Sequence, residues 1–595
     1  MISSFIEPLE SRIAPASALA PFGDRDGDSV TIKITTVGGS SADLKTALEA
    51  AQTFILEGQG LQLQALDLTD PIFKGANVTI KATRDAAKGG DGLVAVGRIE
   101  ATGQTLGKVT VDGDLGKIVF GVAGDTQAIK SLTVQSFGRY GAETGGGNLS
   151  SSFAGGVGKL TVKEDIVGAE IRASTFARLS VGGSIIGGDN VFGGTFFGSS
   201  NGASVVKIGG DIIAGAGSNS GKVFFHDPVK SFTLGGSLFG PADGAEEFFG
   251  QLQFDNAVRK VVIKGDVIGG TDEYLLGGQV DIDGKVGTLQ IGGSLLGVGD
   301  YVSSAPGGGS VFLKEAAKSV TIGGNIAGGT AFQTGVLLLQ KSAQTISVGG
   351  SLIGGVATST GSIILDQGTI KSLSVAGDLI GSGAFSGAID GNLNTTIQKL
   401  TIGGNFDVRG ESFIRANVIE SLIIKGDVIA SSVDGETNEA IRGLNGIGTI
   451  SIGGSILGNE VNTVRIVTTT LGSLTVGKNA QYAEIAVTDL ESKVQSLAVN
   501  GAWISSRFTF ANDDGADNIY GTADDPAVNA AFDGTISSIV IKGQVVGTFG
   551  GTDSYVIRAP KIGALSIAGT VYPLTAGADD FNLGITADVT VVDLK

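Results

Sequence analysis

The sequence predicts an all-β fold: a parallel β-helix, right-handed by the usual twist of strands and crossovers, of about 18 turns with a small α+β cap at its N-terminal side. Three observations predict it. A short phrase, clearest as KSLSVAGDLIGSG at 371–383, recurs along the chain, and its first apolar position can be followed through eighteen anchors from Val109 to Leu565. The mean step is about 27 residues, a period typical of solenoids. Within the phrase Leu373 and Val375 alternate with Ser372 and Ser374, the period of a strand buried on one face. Two small residues follow, expected to bend the chain through backbone angles closed to larger residues. Leu379 and Ile380 then open a second short strand, and a third apolar run such as SIILD at 362–366 or TVRIV at 463–467 lies between phrases. Three short strands per turn in register make a parallel β-helix. Hairpins are disfavoured in the repeats, because Asn-Gly and Asp-Gly pairs do not sit at regular two-residue loops.

Taken in order, residues 1–21 read as an export or sorting segment. They lack the charged start and continuous apolar core of a secretory signal. LESRIAPA, Leu9 to Ala16, resembles the LEPR-type N-terminal motif of planctomycete-type extracellular proteins: Glu10 and Arg12 match, and Ser11 stands where Pro is usual. The resemblance implies export or surface placement. Residues 22–105 carry no phrase and are expected to form the cap, with strands at SVTIKIT (Val30, Ile32, Ile34) and NVTIKAT (Val78, Ile80) and a short helix over SADLKTALEAAQ capped by Ser41. A solenoid end exposes strand edges and open core, which such a cap would cover.

In the cap, GDRDGDSVT brings together Asp24, Asp26 and Asp28 and resembles the DxDGD start of a bacterial surface-protein segment. An EF-hand is excluded, since Ser29 and Thr35 occupy the positions that need Gly and Glu. A looser calcium site competes here with a plain acidic turn. The repeats fill 106–575. The residue after each bend is Asp, Ser or Asn on most turns, and Asp never falls on two consecutive turns, which keeps like charges from stacking. One long step holds an acidic insertion, 509–530, with Asp513, Asp514, Asp517, Asp524 and Asp525. It resembles the DGxDxxxGTxDDP insertions of bacterial surface proteins, some of which bind calcium, and its hard oxygens suit that ion. Residues 576–595 are expected to add a C-terminal cap strand, with no tail of the kind an anchor or sorting signal needs.

Composition narrows the chemistry. The chain has no Cys, one His, one Trp and a net charge of −18. Thiol nucleophiles, disulfides and Cys-containing zinc sites are excluded, and nucleic acid is disfavoured for want of a basic stripe. No apolar run is long enough for a transmembrane helix. His226, beside Asp227 and Pro228, is expected at a strand end and turn as a structural or solvent-facing histidine, and Trp503 in core or cap packing rather than as a sugar platform. Polysaccharide hydrolysis needs two carboxyl groups about 5–10 Å apart, and the outward positions read mostly as Ser, Thr, Lys and Gln. No catalytic residue and no required cofactor is therefore expected, with calcium the one candidate ion. The function expected is structural or adhesive: an adhesin-like bacterial scaffold, secreted or on the cell surface, whose partners are envelope or matrix components, glycans among them. A polysaccharide-binding or polysaccharide-degrading β-helix is the alternative, and would show a carboxylate groove and an aromatic shelf on neighbouring turns. An autotransporter-type passenger is the second alternative, weakened by the lack of membrane-barrel strands.

Overall fold

A computed structural model describes residues 15–144, 148–198, 205–241, 249–270, 277–298, 307–431, 439–511, 513–520, 522, 524–526, 531–548, 555–575, 577–584, 586 and 588–595. The chain is a parallel β-solenoid of about 16 turns, 56% strand and 3% helix, so the helical part is confined to a few short segments. The turns are slightly fewer than the eighteen anchors; Val109 and Leu132 lie in one unbroken strand, Leu106–Phe137, and Leu565 pairs in register with Ile539 in a strand that then closes with an antiparallel hairpin. The motif residues Glu10, Ser11 and Arg12 lie outside the described residues. The chain divides into two compact units, residues 1–235 with 253–255, and residues 236–252 with 256–595.

The first unit opens with antiparallel pairing. Strand Ala16–Gly23 pairs with Ser29–Thr36, which pairs with Asn77–Thr83, and Gln52–Glu57 forms a hairpin with Gly60–Asp67. The helix is Ser41–Ala50, and its cap is Ser40, whose hydroxyl accepts from the Ala42 and Asp43 N–H groups. Ser41, the expected cap, is instead the first helical residue, so the cap lies one position earlier than expected. Asn77–Thr83 then pairs in parallel with the strand carrying Val109, and the switch to solenoid pairing is made there. Leu132, Leu160, Leu179 and Val206 follow in register. Phenylalanines fill this core: Phe120 stacks on Phe153 at 4.4 Å, and Phe176, Phe196, Phe225 and Phe254 continue the contacts.

In the second unit the anchors stack in the expected register, Ile346 on Leu373, Leu400, Leu422, Ile450, Leu474, Leu497 and Ile539. A turn consists of three strands, for example Gly368–Val375, Leu379–Ile380 and Ile389–Gly391. Leu373, Val375, Leu379 and Ile389 are buried, and this core is chiefly aliphatic.

The bend works differently from the expectation. The paired small residues, such as Gly349 and Gly350, do not adopt positive φ; that conformation falls in the later connection, at Ser359 and Gly361 (57° and 61°) and at Phe385 and Gly387 (56° and 60°). Between these, the buried hydroxyls of Thr360 and Ser386 accept backbone N–H bonds that close the connection. The glycines of the phrase instead make room for a neighbour. The Asp, Ser and Asn residues after the bend use a side-chain oxygen to accept the backbone N–H of the counterpart one turn on: Asn325 from Ser351 at 2.8 Å, Ser351 from Asp378 at 3.0 Å, Asp378 from Asn405 at 2.6 Å, Asn405 from Asp427 at 2.9 Å. A Cβ on Gly350 would stand 2.1 Å from Asn325 Oδ1, and one on Gly377 2.2 Å from Ser351 Oγ. Where Lys478 replaces this glycine, the bond from Asn479 N–H to Ser455 stretches to 3.4 Å. Asp165, Ser184 and Asp211 build the same ladder in the first unit.

Candidate functional site

If the inward residues and the ladder fix the stacking, what varies from turn to turn lies outward. On the sheet of the phrase the outward column is polar as expected: Gln290, Thr321, Ser347, Ser374 and Thr401 stand in register. The third-strand sheet departs from the expected Ser, Thr, Lys and Gln. In the first unit its outward column is Arg172, Phe197, Phe224. In the second it is Asp281, Phe312, Leu338, Ile364, Asp390, Arg415. The signal for this was the character of the third runs: TFF, VFF, VFL, LLL and IIL are unbroken apolar segments rather than alternating ones, so a residue of each must face out.

The first-unit column forms a shelf. Phe197 lies 5.9 Å from Phe224 and 5.7 Å from Phe192, and the Arg172 guanidinium sits 4.4 Å over Phe197 and 5.0 Å over Phe192. Arg172 is also paired with Glu170. His226, at the end of strand Val223–Phe225, is solvent-facing as expected, with its side chain 59% exposed. Its Nδ1 lies 2.8 Å from Asp255 Oδ2, a residue of the next turn that the sequence did not single out, and Gln253 Nε2 donates to the other oxygen of that carboxylate at 3.1 Å. The Asp255 hydrogen bond, with the charges of Asp255 and Asp227, raises the histidine pKa above its ordinary value.

Asp24, Asp26 and Asp28 do converge, with carboxylate oxygens within 4.8 Å of one another. Asp24 and Asp28 are buried. Both oxygens of Asp28 are taken, by the Asp85 and Gly92 N–H groups at 2.6 Å each, and Asp24 Oδ1 accepts the Asp28 N–H. Desolvation, together with Asp26 beside it, pushes the Asp24 carboxyl up to about 7, while Asp26 is lowered.

The structure divides the five aspartates of the insertion. Asp517, Asp524 and Asp525 come within 4.8 Å of one another. Asp524 also accepts from Thr522 Oγ1 and from the Ala516 N–H, which lowers its pKa. Asp513 accepts the Gly515 N–H, and Asp514 is drawn away to Arg465 at 2.9 Å. Arg465, 4% exposed, also pairs with Glu484, 2% exposed, at 3.2 Å; Glu484 accepts the Tyr520 N–H at 3.0 Å, and the Tyr520 ring lies 5.2 Å from the guanidinium. Glu439, Arg465, Glu484 and Arg507 alternate in sign on successive turns. Tyr520 packs on the outward Val467 and Ala486 with Ala511. Nothing in the repeat phrase pointed to this clamp; the lone charges in TVRIV and AEIAV were its trace.

A groove of about 610 Å³ in the second unit is floored by Gly446, Gly448 and Gly472 and flanked by Glu420, Asp489, Glu491 and Lys493; no aromatic residue lines it. Trp503 is wholly buried and donates Nε1–H to the Ser506 carbonyl at 3.0 Å, which places it in the core as expected. Among the described residues no helix is long and apolar enough to cross a membrane. The chain matches no family model, no curated protein and no solved structure.

Proposed function

We propose that the chain is a structural or adhesive scaffold of a bacterial surface or extracellular layer, acting as a stiff support that presents its outward residues rather than as a catalyst. One observation carries the reading. Turn after turn spends its invariant chemistry, the buried aliphatic anchors and the Asp/Ser/Asn ladder, on stacking alone, while the outward columns change from turn to turn. A multivalent display is built this way. The aromatic shelf of the first unit favours glycans among the partners. The carboxylate-flanked groove lacks an aromatic residue, so a hydrolytic or lyase reading gains less support. Calcium at Asp24, Asp26 and Asp28 or at Asp517, Asp524 and Asp525 belongs to the same proposal, supported by the closeness of the oxygens.

Antibody labelling of intact cells tests the placement. Labelling without permeabilisation, removed by protease shaving, is the expected result; antigen that appears only after lysis contradicts it.

A further inference from the structure

The third-strand sheet of the second unit holds three apolar side chains outward on successive turns. Phe312, Leu338 and Ile364 stand in register and stay half-buried, while the phrase sheet presents Thr321, Ser347 and Ser374 on the same turns. Farther along the same outward column Val467 and Ala486 are closed off by Tyr520 and are only 5% and 0% exposed. Two residues beyond the apolar strip the outward positions are Lys314, Gln340 and Asp366. These too are in register, since the Gln340 and Asp366 N–H groups donate to the Leu313 and Leu339 carbonyls.

The order cation, amide, carboxylate is complementary to its own reverse. Consider a second copy laid face to face with its stacking direction opposed, about a two-fold axis along strand Leu337–Leu339. Leu338 then meets Leu338, Phe312 meets Ile364, the Gln340 amides meet each other, and Lys314 of each copy stands opposite Asp366 of the other. Asp366 has no salt bridge among the described residues, and burial together with the charge of Asp390 raises its pKa. Lys314 is 44% exposed and has three donors, with Asp283 at 2.6 Å in its own chain. At the margins Asp281 comes opposite Asp390, and each already has a cation, Lys314 at 3.7 Å and Arg415 at 2.7 Å. We propose that this face joins two copies of the chain in an antiparallel pair, with the strip of Phe312, Leu338 and Ile364 closed between the sheets and flanked by two ion pairs of Lys314 with Asp366. This goes beyond the scaffold reading by making a second copy the partner of a particular face. Three turns at about 4.8 Å each make a small patch, short of the roughly 800 Å² per partner of a stable complex, so the pairing is weak and depends on concentration.

The chain has no cysteine, so a single introduced cysteine reports on proximity between copies. Gln340→Cys lies on the two-fold axis, and Ser374→Cys stands outward on the phrase sheet as a measure of random collision. The full chain at high concentration is treated with a short bis-maleimide, and rates are corrected for each thiol's reactivity toward N-ethylmaleimide. Gln340→Cys should form covalent dimers about tenfold faster than Ser374→Cys. Leu338→Arg or Asp366→Lys, each added to Gln340→Cys, should bring the rate down to the collision level, with circular dichroism confirming that the variants fold. Both change outward side chains, and Asp366→Lys sets a cation beside Asp390 within the chain but opposite Lys314 across the pair. Equal rates for Gln340→Cys and Ser374→Cys overturn the proposal, as does a Gln340→Cys rate that either added substitution leaves unchanged. Surface labelling of cells does not depend on this pairing, so its failure and a failed scaffold reading give different results.

Discussion

Ser351 accepts the Asp378 N–H from the turn above and donates its own N–H to Asn325 below. Each such bond contributes about 0.5–1.5 kcal/mol, and the position therefore requires an acceptor oxygen rather than a charge. Asp378→Asn should leave stability within about 0.5 kcal/mol, while Asp378→Ala should cost about 1 kcal/mol or more in urea denaturation. Ser351→Asp would stack two carboxylates. It should destabilise at pH 7 and recover as pH falls toward the carboxylate range, because repulsion raises the folded-state pKa values. The Ser, Asp and Asn alternation was legible as a turn position kept free of adjacent charges. The hydrogen bond was not, because it joins residues about 27 positions apart and its signature is the glycine before most rungs. Asp24 titrates in the same direction. Its pKa is raised from 3.8 to about 7, so its contribution is fully present below about pH 4 and is lost as pH rises through 7. Asp24→Asn removes the buried carboxyl and keeps an acceptor for the Asp28 N–H. Melting temperatures at pH 5 and pH 8 should show the variant gaining on wild type at the higher pH.

The strands of the phrase follow from alternation, and so do the strands at Val30 and Val78. What local pattern could not give is the hairpin Gln52–Leu66, whose strands mix apolar and polar residues without a clean period. Nor could it give the clamp under the insertion. Glu484 carries a pKa raised chiefly by burial, opposed by Arg465, so its ionised form depends on that guanidinium. Arg465→Met should cost about 3–5 kcal/mol by stranding a buried carboxylate. It should also free Asp514 and Tyr520 and expose the 513–526 segment to limited proteolysis. The double change Arg465→Met/Glu484→Leu should recover most of the loss, since apolar replacement of a buried pair is close to neutral. Proteolysis should still nick the insertion in that double variant, as its tie to Asp514 is gone.

Across the molecule, the period of the sequence carried the architecture because each turn must satisfy only its neighbours. The outward chemistry was less legible, because a surface column is assembled from residues about 27 apart whose side-chain direction is known only once the third strand is placed. Phe197 and Phe224 carry no outward signal in the sequence for that reason, since their neighbours Phe196, Val223 and Phe225 are equally apolar and are buried. For the calcium proposal, melting in calcium and then in chelator should show a rise of several degrees that the chelator reverses; unchanged melting removes both acidic groups as ion sites. The central claim is that the turn is the unit of this protein. Deleting residues 352–378 removes one period, since Leu352 and Leu379 are in register, and leaves Ser351 in the place of Asp378 with Asn405 next on the ladder. The account predicts a folded chain with an unchanged β circular-dichroism spectrum and one cooperative melt within a few degrees of the parent, whereas deleting 352–365, half a turn, abolishes folding. Loss of the folded spectrum in the full-period deletion would contradict it.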